Sequence, residues 1–194
     1  MDANTEILLC SEAFVKSVTN ISDNVAGKFL LPSLREAQEI RLRGIVGDCL
    51  LARLKNLVSS GAVRPDTVPA PEYQAYKDLI DRAQYLLAYA TVAEVLDKVT
   101  YKVGNFGVSK STDENLTVAT PDEVARQKYY YQAKADGCCR DLQRWILSNR
   151  EAFPELRDCD CASMRANLRS AASSGLWLGG ARGRILPGGG GCCR

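Results

Sequence analysis

At 194 residues, with 46% hydrophobic and 25% charged side chains, the chain is long and apolar enough to bury one substantial core with an appended tail. A formal net charge of +2 and a complete lack of histidine argue against a uniformly nucleic-acid-binding surface and remove the side chain most often used as a catalytic base. Apolar runs fall short of the roughly 20 residues that span a bilayer core, so no membrane partner is expected.

The first residues, Met1-Asp2-Ala3-Asn4-Thr5-Glu6, are acidic and lack the positive start and apolar centre of a secretory signal. A reducing compartment is therefore expected, with Cys10, Cys49, Cys138, Cys139, Cys159, Cys161, Cys192 and Cys193 present as thiols. Their Cys-Cys and Cys-x-Cys spacings depart from the Cys-x-x-Cys knuckle, and histidine is missing, so neither a metal nor another cofactor is expected.

Ser11 caps a short helix that runs to Val18 and ends near Thr19-Asn20, and Ser22-Asp23-Asn24 caps a turn through Val25 to Leu30. Pro32 suits the first turn of a long helix from Ser33 to Val58. Ala37, Ile40, Gly44, Leu51, Leu54 and Val58 form one stripe of that helix, while Leu42, Ile45, Val46, Cys49, Leu50 and Leu57 form a second. Two apolar faces imply two partners, the chain's own core and either a neighbouring subunit or more of the same bundle. Gly44 and Gly47 permit close helix approach or mark a break.

After a connector punctuated by Pro65, Pro69 and Pro71, Tyr73 to Val99 repeats apolar residues at core-facing helical spacing. Thr120-Pro121-Asp122-Glu123 is a capping box that opens a second long helix, Pro121 to Arg150. This helix is expected to pack antiparallel to the first. Between them lies a long loop, Gly104 to Thr120, whose two glycines and polar residues predict mobility in an isolated subunit and ordering by a neighbour. Its Gly-x-x-Gly lacks a following Gly-Lys-Ser or Gly-Lys-Thr, so a phosphate cradle is disfavoured. Tyr129-Tyr130-Tyr131 is read as a core edge or interface in preference to a stacking platform for single strands.

The composition changes near residue 157. Six arginines against Asp158 and Asp160 give residues 157–194 a charge of +4, leaving −2 on the rest. The expected organisation is therefore a helical domain, 1–156, followed by a C-terminal extension or arm, 157–194. Within the arm Leu176, Trp177 and Leu178 are apolar anchors, and Arg182 and Arg184 electrostatic contacts. The predicted fold class is mainly α: a helical bundle with a long inter-helix loop and an extended C-terminal arm. Scattered acidic residues on predicted helix surfaces assemble no recognisable catalytic group, and an enzyme is not expected.

Four stretches carry a family resemblance: Leu30-Leu31-Pro32 through Ala37-Gln38, Ile45-Val46-Gly47-Asp48-Cys49-Leu50, Tyr101-Lys102-Val103-Gly104-Asn105-Phe106-Gly107-Val108, and Gly175-Leu176-Trp177-Leu178-Gly179. Together they resemble head–tail connector (adaptor) proteins of tailed bacteriophages and prophages. Such proteins are mainly helical and form a ring, commonly of twelve copies, beneath the portal. The resemblance implies a structural virion protein in the neck region, assembled in the host cytoplasm, with DNA passing through its channel. Its partners would be further copies of itself, the portal protein, and neighbouring tail or connector proteins. Leu42, Ile45, Val46, Leu50, Asn105, Phe106 and Lys110 are then the candidate ring contacts. Leu176, Trp177, Leu178, Arg182 and Arg184 form the candidate portal-docking arm. The Gly-Gly-Gly-Gly-Cys-Cys terminus departs from the pattern. The alternative is a helical DNA-associated or regulatory protein whose basic tail binds phosphates.

Overall fold

A computed structural model of the chain describes residues 7–22, 25–64, 67–104, 107–110, 120–157 and residue 166. Among them the elements are α1 (Glu12–Val18), α2 (Gly27–Ala37), a π-helical turn (Gln38–Leu42), α3 (Arg43–Ser59), α4 (Gln74–Thr100), β1 (Tyr101–Gly104), β2 (Gly107–Lys110) and α5 (Pro121–Ser148), with short 3-10 turns before α4 and after α5. The fold is a mainly α helical bundle, as the periodicities predict.

The centre of the bundle is α4, whose Leu79, Ala83, Leu86, Leu87 and Ala88 are fully or almost fully buried. Removing each leucine side chain from water contributes roughly 1.5–3 kcal/mol. On one side α4 runs antiparallel to α5, which buries only Tyr131, Ala135, Leu142, Gln143 and Ile146. The pairing is traced by Lys128 bonded to Asp97 near one end and the Arg82 guanidinium 5.0 Å from the Trp145 ring centre near the other. Helix α4 also receives α2 and the π-helical turn, and Lys98 Nζ donates to Ser33 Oγ at 3.0 Å and to Glu36 Oε2 at 2.8 Å.

The predicted helix from Ser33 to Val58 is interrupted. Helix α2 starts earlier, at Gly27, so Pro32 lies inside it and not in its first turn. A π-helical turn follows, and within α3 the backbone of Gly47 takes φ 78° and ψ 172°. That conformation is open essentially to glycine alone, so Gly47 marks a break.

Part of the predicted loop is a β-hairpin. Strands β1 and β2 pair antiparallel with Tyr101 opposite Lys110, Lys102 opposite Ser109, Val103 opposite Val108 and Gly104 opposite Gly107. The alternation of β-formers in Tyr-Lys-Val and Val-Ser-Lys, either side of a two-residue connection, is the local reason.

After α5, fully buried Phe153 holds the chain against the bundle, edge-on to Tyr76 at 5.4 Å. Tyr76 Oη donates to both Glu155 oxygens, at 3.0 and 3.1 Å, and Arg53 lies 3.6 Å from the same carboxylate. Glu155 therefore sits beside the middle of α3 and the start of α4. Apart from residues 157 and 166, the predicted C-terminal extension lies outside the described residues.

Candidate functional site

Four predicted subunit contacts turn out to be core. Leu42, Ile45, Val46 and Leu50 are all buried within the chain's own bundle. The second apolar stripe is absorbed because α2 and the π-helical turn pack on α4 while α3 packs on the π-helical turn and the 3-10 turn that follows α5, so one chain covers both stripes. This corrects the expectation that they face a neighbouring subunit. Asn105 and Phe106 lie outside the described residues, as do Leu176, Trp177, Leu178, Arg182 and Arg184. Lys110 ends strand β2.

Among the described residues the exposed large apolar side chains are spread over several elements, with Leu31, Ile40, Val68 and Tyr85 outside α5 and three on α5. Tyr129 is 73% exposed, Tyr130 47% and Leu147 48%. Helical spacing places Tyr129, Ala133, Gly137, Arg140, Arg144 and Leu147 along one outward line. At Gly137 an added Cβ would meet open space. The three consecutive tyrosines have separate environments: Tyr131 is buried, accepts a 3.3 Å hydrogen bond from the Asn20 N–H and stacks on Tyr89 at 6.4 Å. The Lys134 ammonium sits 4.6 Å from the Tyr130 ring centre and 5.0 Å from that of Tyr89. Tyr130 is thus occupied by an intramolecular cation–π contact, and Tyr129 remains the outward aromatic.

Two grooves flank this architecture. One, of about 380 Å³, runs between α4 and α5 and is lined by Asp78, Asp81, Arg82, Tyr85, Cys138, Asp141 and Leu142. Its charges are largely compensated: Asp81 pairs with Lys77 at 2.6 Å and Asp141 with Arg144. Burial, and next the charge of Asp141, push the Cys138 thiol above its ordinary range, which works against a nucleophilic thiolate. The second groove, of about 400 Å³, is apolar, with Leu8, Phe14, Leu31 and Val58 among its walls and Val63 and Ile80 beneath. Cys10 at its base is buried and its thiol pushed up to about 12 by desolvation.

Sequence reasoning missed how the N-terminal segment is held. Gln38, fully buried in the π-helical turn, accepts from the Leu9 N–H at 2.9 Å and donates to the Ile7 carbonyl at 3.1 Å. Gln84 donates to the Leu9 carbonyl at 3.1 Å. Two side-chain amides thereby do for residues 7–9 what a strand partner does in a sheet. The cysteine reading also needs correction at one position, because Cys49 is disulfide-bonded, whereas Cys10, Cys138 and Cys139 are free. Among the described residues no group of three or more His, Cys, Asp or Glu is placed to hold a metal ion, and no helix is long and apolar enough to cross a membrane.

Residues 42–166, well over half of the chain, match the family described as "Family of unknown function (DUF6712)". The match begins in the π-helical turn and takes in α3, α4, the hairpin and α5. No curated protein and no solved structure matches the chain.

Proposed function

Starting from a chain that belongs to the DUF6712 family, we propose that it is a structural virion protein, a head–tail connector (adaptor) that forms an oligomeric ring between portal and tail. DNA passes through the ring, which sits at the neck of the particle, and copies of this chain, the portal protein and adjoining tail proteins are its partners. The sequence resemblance supplies the ring and its place. The observation that carries the assembly part is the outward face of α5, where Tyr129 and Leu147 stand exposed. Aromatic residues are enriched at protein interfaces, and Ala133 and Gly137 between them allow close approach of another backbone. No catalytic role is proposed.

Electron microscopy of the purified chain, with its mass measured in solution, tests the reading. Closed rings with a central opening and a mass that is a fixed multiple of 21.2 kDa are expected. A strictly monomeric chain at micromolar concentration, alone and with the portal, overturns it. The second reading, a DNA-associated protein, draws on the +4 charge of residues 157–194. It requires DNA affinity that falls steeply with salt, whereas a ring held by apolar and aromatic faces keeps its association.

A further inference from the structure

We propose that the apolar groove between the N-terminal segment, α2, the end of α3 and the start of α4 is the seat of this chain's own Leu176-Trp177-Leu178 segment. The groove offers about 400 Å³, within the range of sites that enclose a small apolar group. Its wall residue Leu31 is 46% exposed, an apolar surface that an occupant would remove from water. Trp177 is the one aromatic residue in 157–194 and is flanked by two leucines. A tryptophan carries one of the largest apolar areas available to any side chain.

Charge selects the same segment. At the rim Glu12 pairs with Lys16 at 2.7 Å and Asp81 with Lys77 at 2.6 Å, and Arg64 lines the groove beside them. A compensated rim with an added arginine disfavours a basic occupant and accepts an uncharged one. Residues 170–181, Ser-Ala-Ala-Ser-Ser-Gly-Leu-Trp-Leu-Gly-Gly-Ala, carry no charge, and the arginines resume only at Arg182.

The path of the chain makes the encounter easy. Glu155 is fastened to Tyr76 and Arg53. Tyr76 is the neighbour of groove residue Lys77, and Arg53 precedes groove residue Val58 by about 7.5 Å along α3 at the helical rise. The stretch from Arg157 to Leu176 can reach about 60 Å when extended, far more than this separation. A tether of that length holds its end at roughly millimolar effective concentration near the groove.

The test uses the full-length chain and takes the Trp177 signal as the difference in emission between the native protein and Trp177→Phe. Measurements are made over a dilution series with the mass followed alongside. The expected result is blue-shifted Trp177 emission, with acrylamide quenching several-fold weaker than for free tryptophan, down to concentrations where the chain is monomeric. Leu31→Glu and, independently, Val58→Lys should return both readouts to solvent values in variants whose circular dichroism is native. Ile40→Glu, at an exposed position outside the groove, should leave them unchanged. Trp177 that is freely quenched in the native chain overturns the proposal, as does protection that survives both groove substitutions. Protection that appears only as the mass rises assigns the groove to a second copy's arm and also overturns it. The inference does not rest on the ring reading, since loss of rings with Trp177 protection intact defeats one and leaves the other standing.

Discussion

Gln38 shows how much one buried amide holds. With its two hydrogen bonds it satisfies the Leu9 N–H and the Ile7 carbonyl, groups that would otherwise be left without partners. Gln38→Leu keeps the volume and removes both bonds, so a loss of about 1–3 kcal/mol is expected in urea unfolding; an unchanged midpoint would refute the role. Glycines give a paired test. At Gly47 the backbone lies at φ 78°, so Gly47→Ala should cost about 1–3 kcal/mol. Gly44, helical and with open space where a Cβ would go, should gain up to about 1 kcal/mol as alanine. Equal effects at the two positions would contradict the break in α3.

At the scale of elements, α5 has the best-defined beginning. Thr120 Oγ accepts from the Glu123 N–H at 3.3 Å, and Glu123 Oε2 accepts from the Thr120 N–H at 2.8 Å. The hydrogen bond from the Thr120 backbone, then that from its hydroxyl, hold the Glu123 carboxyl below the usual glutamate range. A carboxyl whose folded pKa is depressed contributes stability that is present above its unfolded pKa and is lost as pH falls through the folded one. Amide exchange in the first turn of α5, corrected for intrinsic rates, should therefore accelerate as pH drops through and below the glutamate range. Glu123→Gln should remove most of that dependence. If native and variant respond alike, the cap is not the titrating element.

For the whole molecule, the placement of apolar residues separates folding from assembly. Leu42 is fully buried, and Leu42→Asp puts an unpaired carboxylate among leucines at a cost of several kcal/mol. That variant should lose its cooperative unfolding transition together with any association. Tyr129, 73% exposed, makes no such demand, so Tyr129→Asp should leave Tm within a few degrees and weaken self-association by tenfold or more in sedimentation. A Tyr129→Asp protein that assembles normally would remove α5 from the interface and direct attention to the hairpin.

Much of the secondary structure follows from local rules that act within a turn or two of chain. The capping box at Thr120 and the apolar stripe of α4 are each set by neighbours a few residues away, and both were legible. The break at Gly47 was readable only as one of two options, since a helical glycine and a positive-φ glycine look alike until the chain's path is known. The short hairpin was hidden because its strands are four residues long and are joined by a connection without an Asn-Gly signal. What only the tertiary structure decided is which apolar stripe has a partner. Periodicity shows that Leu42, Ile45, Val46 and Leu50 lie on a buried face, but self-burial and burial by a neighbour remove the same area from water at the same gain per unit area. The packing of α2 and the π-helical turn on α4, and of α3 on the turn after α5, closed that face within one chain and left the outward line of α5 among the open surfaces. The amides of Gln38 and Gln84 were likewise beyond sequence rules, because their partners lie 29 and 75 residues away at Leu9 and only the packed fold brings them together.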